Sequence, residues 1–217
     1  MKQGSDHIAR NRLSRELIVD AAIEVADREG LGAMSMRRLA AAMEVEAMSL
    51  YNHVADKNDL QTAMVGRIWD SVDLALDEAA WRPALHRLCG SASRALRAHP
   101  WFFALSLPGN GGTARLAVIE ATLTHLHTGG LAPDVSFHAL HAIDGYVYGY
   151  SWQASEFAAP DVMPDADEIA RMLESRPFLQ AHAAQHFAMD SEASQPDGFA
   201  FGLDALLDGF ALTGADR

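Results

Sequence analysis

Residues 36–57 read MRRLAAAMEVEAMSLYNHVADK. Met36, Leu39, Ala40 and Met43 recur at spacings of three and four, the pattern of a short helix with one buried face, and Ser35 stands where a helix cap belongs. After Glu44–Glu46 the stretch Ala47–His53 reads as a second short helix, with Leu50 and Val54 inward. Asp56 then caps a further helix, with Asp59 three residues on as a partial capping box. Two short helices across a tight turn form the helix-turn-helix pattern, in which the second helix is offered to the major groove of DNA.

Outward from this stretch the chain reads as all-α: apolar residues at helical spacing, interrupted by Gly, Pro and Asp clusters, with no alternating strand pattern. A helix over Ser14–Arg28 precedes the motif, with a buried stripe of Leu17, Ala21 and Val25 flanked by Ile18 and Ala22, and Gly30 ends it. The arm before it, residues 1–13, carries Lys2, Arg10 and Arg12, with Arg15 just beyond; it is either a solvated tail or an arm that touches phosphate or the minor groove. The helix from Asp56 continues through Leu60, Met64, Ile68 and Val72, long enough to join a head, residues 1–60, to a larger C-terminal domain, residues 61–217. Helices are expected there at Ala84–Ala98, Thr113–Thr128, Pro133–Phe157, Asp165–Glu174, Pro177–Met189 and Asp197–Leu212, with a short apolar segment at Trp101–Leu107. The loop PGNGGT, Pro108–Thr113, lacks the Gly-Lys-Ser/Thr ending of a phosphate loop.

The 217 residues carry a net charge of −12. Residues 1–60 hold 8 Lys+Arg against 10 Asp+Glu, so the acidity lies mainly in the second domain and the head is nearly neutral. Such a head should bind DNA modestly and in a strongly salt-dependent way. No apolar run reaches the roughly 18 residues of a membrane span, and the N-terminal charges are not followed by the apolar core of a secretory signal. Cys89 is the only cysteine. No membrane partner and a cytoplasmic location are therefore expected.

Leu39-Ala40, Val45, Ser49-Leu50-Tyr51, His53-Val54, Lys57 and Leu60 resemble, in identity and spacing, the head of the tetracycline-repressor (TetR) family of bacterial transcription regulators. The stretch from AHPWFFALSLPG to the helix ending near Phe157 is similar to the C-terminal domain of the branch that includes the tetracycline repressor. The resemblance implies that the helix from Ala47 is the recognition helix, with Ala47, Met48, Ser49, Tyr51 and Asn52 outward and His53 at its end. It implies phosphate contacts for Tyr51 and His53, and for Lys57 at a helix N-terminus. Arg37 is the candidate for a bidentate guanine contact and Asn52 for adenine or phosphate, while Ala47 and Met48 offer only apolar contacts such as thymine methyls. Arg38 is a solvated charge or a phosphate contact. The family usually has glycine where this chain has Glu44; a positive φ there would cost about 1 kcal/mol.

In Pro133–Phe157, Ala142, Gly145 and Gly149 make a smooth stripe that lets a second helix approach closely. The last helix has an apolar stripe of Phe199, Leu203, Leu206 and Phe210. The resemblance implies that these two helices from each subunit form a four-helix bundle, giving a homodimer on a palindromic operator; the other reading packs both stripes inside one subunit. Phe137, Leu140, His141, Asp144, Tyr148 and Trp152 mix aromatic and polar groups as ligand pockets do. Trp101, Phe102, Leu105, Leu123, His127 and Met172 are candidates for the remaining wall. His141 and Asp144, three apart, are the most pocket-like pair.

Ten histidines raise the question of a metal. The pairs His182/His186, His138/His141 and His125/His127 come with no HExxH motif and no cysteine partner, so no metal and no cofactor are expected. The expected function is a ligand-responsive DNA-binding repressor, released by a small hydrophobic or aromatic molecule, and not an enzyme. Two alternatives stand beside it. One is an all-α small-molecule enzyme using Asp144 and His141 as acid and base; the other is a regulator whose second domain binds a protein partner.

Overall fold

A computed structural model describes residues 13–105, 111–157, 166–181 and 198–215. Among these residues the secondary structure is helical, without strands. In chain order the helices are α1 (Arg15–Glu29), α2 (Met36–Ala42), α3 (Ala47–Leu50), α4 (Lys57–Asp70), α5 (Trp81–Ala98), α6 (Phe102–Leu105), α7 (Gly112–Thr128), α8 (Pro133–Phe157), α9 (Ala166–Leu173) and α10 (Gly198–Ala215). Residues 1–12 of the expected arm, loop residues 106–110, the link at 158–165, the segment 182–197 with His182 and His186, and residues 216–217 lie outside the described residues.

The head is α1 to α3 with the first half of α4. Its caps follow from the residue types. Ser14 accepts from the Leu17 amide, Ser35 from the Arg38 amide and Asp56 from the Asp59 amide, each filling one of the donors a helix start leaves unpaired. The core of the head is Ile18, Ala22, Met34, Leu39, Leu50 and Leu60, all essentially sealed from solvent. Leu17, expected in the buried stripe, is half exposed, because the face of α1 that meets the core is centred on Ile18, Ala22 and Val25. The helix α3, expected as the recognition helix over Ala47–His53, is a single turn, Ala47–Leu50. Residues 51–53 continue as turn, with the His53 and Val54 amides both bonding back to the Leu50 carbonyl.

A helix this short does not hold its own orientation, so its neighbours fix it. Asp59 is the clamp. Its carboxylate accepts from both terminal nitrogens of Arg15, at 2.8 and 2.6 Å, and from the Ala55 amide at 2.8 Å, while Arg15 also donates to the His53 carbonyl. The guanidinium, with the Ala55 amide, holds the Asp59 carboxyl down at about 2. Its folded pKa lies below the ordinary aspartate value, so this contribution is complete above about pH 4 and is lost as pH falls toward about 2. Asp59→Asn should cost the head about 1–2 kcal/mol at neutral pH. In denaturant titrations the gap from the unaltered chain should close across that acidic window. A gap that stays constant with pH would contradict the clamp.

The second body is built on α5, α7, α8 and α10, with α4 running into it from the head. The expected domain edge at residue 60 falls inside α4, a single uninterrupted helix from Lys57 to Asp70. Trp69 near its end is 2% exposed and lies among body side chains. Further links tie the two parts. Arg67 on α4 pairs with Asp20 on α1, and Asp27 on α1 accepts both from His99 Nδ1 at 2.8 Å and from Trp101 Nε1 at 2.6 Å, at the corner between α5 and α6. Among the described residues no helix is long and apolar enough to cross a membrane.

Candidate DNA-reading face and effector-binding body

The turn between α2 and α3 is a Schellman closure: the Val45 amide bonds the Ala40 carbonyl and the Glu44 amide bonds the Ala41 carbonyl. This closure needs a left-handed residue between them, and Glu44 takes it with φ 54°. The same closure ends α7, where Leu131 bonds Leu126 and Gly130 bonds His127, and there the left-handed residue is glycine, at φ 84°. The reader turn therefore has the geometry a glycine would give it. The strained backbone at Glu44 costs about 1–2 kcal/mol and places one further exposed carboxylate beside α3.

On this frame Arg37, Met48, Tyr51, Asn52 and Lys57 are exposed, and Ala47, Ser49 and His53 are half-buried. Met48 at 72% and Tyr51 at 44% are large side chains turned to solvent on this face. Arg37 makes no ion pair among the described residues. Arg38 is different: its guanidinium is forked onto Glu29, Nε at 2.8 Å and Nη2 at 2.7 Å. Arg38 and Arg28 hold the Glu29 carboxyl at about 2. Arg38 thus braces α2 against the end of α1, and only by breaking that fork would it meet a phosphate. Glu44 and Glu46 flank α3.

The expected effector residues do not form one wall. Phe102 is fully buried, and Trp101, 6% exposed, spends its indole N–H on Asp27. Leu105 is partly buried against the core. Leu123, His127 and Phe137, with Leu140, line an open groove of about 550 Å³ between α7 and α8. His141 is exposed and donates to the Phe137 carbonyl, and Trp152 and Met172 are half exposed. His141 and Asp144 are therefore not a buried pair: the partner of Asp144 is Arg115 on α7, which sequence reading missed.

Around that ion pair a compact cluster forms. The Arg115 guanidinium lies 4.5 Å from the Trp69 ring centre and 5.9 Å from that of Tyr148. Phe102 meets Trp69 edge-on at 5.6 Å and Tyr148 at 6.3 Å. Burial pushes the Asp144 carboxyl up despite Arg115, and burial with the Asp144 charge pushes the Cys89 thiol up to about 12. Among the described residues the buried Trp69 indole N–H has no acceptor. Phe102, Asp144 and Tyr148 of the expected residues are thus brought together, with Trp69 and Arg115 added. Arg115, a lone cation entering the apolar run of α7, was the available signal in the sequence.

The expected dimer residues also divide. Phe199 and Leu203 are buried inside the protomer, where Tyr146 and Tyr150 rings pack on Phe199 and the Tyr146 hydroxyl donates to the Phe199 carbonyl. They are thus turned into the protomer, and Leu206 and Phe210 are partly buried beside them. The exposed face of α10 carries Phe201, Ala205 and Gly209, with Phe201 73% exposed. On α8, Gly145 and Gly149 are exposed and, among the described residues, nothing approaches within 4 Å of where their Cβ atoms would stand, while Ala142 is half-buried. Phe137, His141 and Trp152 share that exposed side, so the expected division of α8 into a ligand face and a dimer face does not hold. Among the described residues no group of three or more metal-ligating side chains is assembled.

Comparison with known proteins matches residues 18–64 to the family described as bacterial regulatory proteins, tetR family, and residues 75–213 to the tetracyclin repressor-like, C-terminal domain. The chain is 30% identical to the HTH-type transcriptional repressor DrrR1 of Streptomyces coeruleorubidus, over 94% of this chain and 80% of that protein. It is 27% identical to the tetracycline repressor protein class D of Escherichia coli, over 93% and 90% of the two chains. Among solved structures, a possible TetR family transcriptional regulator from Streptomyces coelicolor superposes with a TM-score of 0.75 at 27% identity, covering 92% of this chain and all of the other. The reader head, the body it is joined to and these matches agree, and the chain belongs to the TetR family of transcriptional regulators.

Proposed function

We propose that this regulator is a homodimeric repressor that sits on a palindromic operator and is released by a small, largely hydrophobic or aromatic effector. The observation that carries the reading is the outward face of α2–α3, where Arg37, Met48, Tyr51 and Asn52 are exposed beside Lys57 on a rigid Schellman turn. Repression is supported by the relatives, among them the transcriptional repressor DrrR1 and the tetracycline repressor protein class D. Dimerisation is supported by the open glycine positions on α8 and the exposed Phe201 of α10, which leave a smooth and partly apolar surface.

Effector control follows from the path of α4. Its first residue is Lys57 beside α3 and its thirteenth is Trp69 inside the body, so one uninterrupted helix spans both. An effector that prefers the body conformation with wrongly spaced heads shifts the population away from DNA by the ratio of its two affinities. Separate roles are expected at the reader. Tyr51→Ala weakens binding to all DNA alike, and Arg37→Ala relaxes preference at one symmetric base position, worth about 1–3 kcal/mol per contact. Selection of genomic fragments with purified protein supplies the operator, and anisotropy titrations against it and a scrambled duplex check both variants. Two variants that bind like the unaltered protein would remove the assignment of this face.

A further inference from the structure

The chemical class of the effector can be read from the groove between α7 and α8, on the reading that the body binds one. At about 550 Å³ the groove has the size of a site for a small organic molecule. Its apolar part is Leu123, Pro133, Phe137 and Leu140, with the Phe137 ring 58% exposed. Its polar part is one-sided. The hydroxyls of Thr124, Thr128 and Ser136 donate to the backbone carbonyls of Glu120, Thr124 and Leu131, so each has spent its proton and has only lone pairs left to offer. Glu120, one turn before Thr124, adds an exposed carboxylate that has no hydrogen bond or ion pair among the described residues. Among those residues no lysine or arginine lines the groove. It is therefore rich in acceptors, carries one unanswered negative charge and has an aromatic wall. Gly145 and Gly149 line no part of it, so the groove and the smooth stripe are separate parts of α8.

We propose that the effector is a lipophilic cation, an aromatic body bearing a protonated amine, and that it binds in this groove. Its rings lie on Leu123, Phe137 and Leu140, and its ammonium donates to the Glu120 carboxylate and to Thr124 Oγ1. A neutral molecule of the same shape forgoes the charge pairing, and an anion meets only lone pairs and a like charge. The place also suits release of DNA. α4 packs along α7, and its Trp69 rests against Gly111, just before that helix. A molecule wedged between α7 and α8 bears on the helix that begins at Lys57 beside the reader.

The test uses the full-length protein and three probes of one ring system, naphthylethylamine, naphthylethanol and naphthylacetate, by calorimetry without DNA and by operator release in the same preparations. The amine should bind about fivefold or more tightly than the alcohol, and the acid most weakly. Glu120→Gln should bring the amine down to the alcohol. Phe137→Ala, at an exposed ring whose loss leaves the fold intact, should weaken amine and alcohol alike. Glu156→Gln removes the same charge from an exposed position about 24 Å further along α8 than Leu140, and should keep the preference for the amine. Equal affinity for amine and alcohol, no binding of either at millimolar concentration, or a preference that survives Glu120→Gln would each overturn the proposal. So would a preference lost equally in Glu156→Gln, which would trace it to the net charge of the chain, and so would an amine that binds the groove without releasing the operator. An alcohol or acid that releases the operator where the amine does not would overturn it and leave effector control standing. Failure of the unliganded protein to hold operator DNA would instead overturn the regulator reading itself.

Discussion

A Gly145→Leu variant should fold as the unaltered chain does, sediment as a monomer and lose operator affinity by about 10²–10⁴-fold. Among the described residues there is room for the side chain: Gly145 is exposed and no neighbouring atom lies within 4 Å of its Cβ position. Glycine inside a helix costs about 1 kcal/mol against a good helix former, so the isolated protomer loses nothing and α8 is locally stabilised. The damage appears only where a second helix must approach a smooth surface, because a branched side chain there holds the backbones apart. Two heads on one palindrome act at a high effective concentration, and a single head with few polar base contacts forfeits that advantage. Circular dichroism, sedimentation velocity and an operator titration together check this. A variant that remains dimeric and binds DNA within a few-fold of the unaltered protein would remove this face of α8 from the interface.

Gly111→Val should destabilise the body by about 3 kcal/mol, through two additive causes of about 1–3 kcal/mol each. Gly111 has φ 107°, a conformation branched residues do not tolerate. Its Cβ would stand 2.7 Å from Trp69 Cδ1 and 2.9 Å from Arg115 Cβ, and neither is the loose end of a flexible chain. The start of α7 is thus pressed against the edge of the same indole that Arg115 covers, and the substitution disturbs both side chains. Gly112→Ala is the internal comparison. With φ 54° and no atom within 4 Å, it carries only the backbone cost of about 1–2 kcal/mol. Urea unfolding of the pair should separate them clearly, and equal stabilities would show that contact with Trp69 does not constrain residue 111.

Much of the architecture was legible because it is written in local chemistry. Ser14, Ser35 and Asp56 cap the helices they precede, and Pro133–Phe157 has the expected ends. Pro and Gly punctuation, apolar spacing and cap residues act within a few positions, so a linear reading finds them. The recognition helix was overestimated, since Tyr51 and His53 fit a helical pattern but the chain turns after Leu50. The faces of long helices were harder. Phe199 and Leu203 carry a stripe that fits either a neighbour in the same chain or a partner subunit, and only the position of Tyr146 and Tyr150 decides it. The pairing of Asp144 with Arg115 across 29 residues, rather than with His141 three away, is likewise a fact of helix packing that no spacing rule contains.

Asp27 bears on how such regulators can be recombined. Its carboxylate belongs to the head by sequence, yet it is the acceptor for Trp101 Nε1 and His99 Nδ1 of the body. A chimera spliced within α4, with a head that lacks an acceptor at this place, would join two well-formed halves and still bury the Trp101 indole N–H unanswered, at a cost of about 1–3 kcal/mol. The seam for exchanging specificity in this protein therefore does not follow the chain. It runs around Asp27, which has to travel with the body it serves.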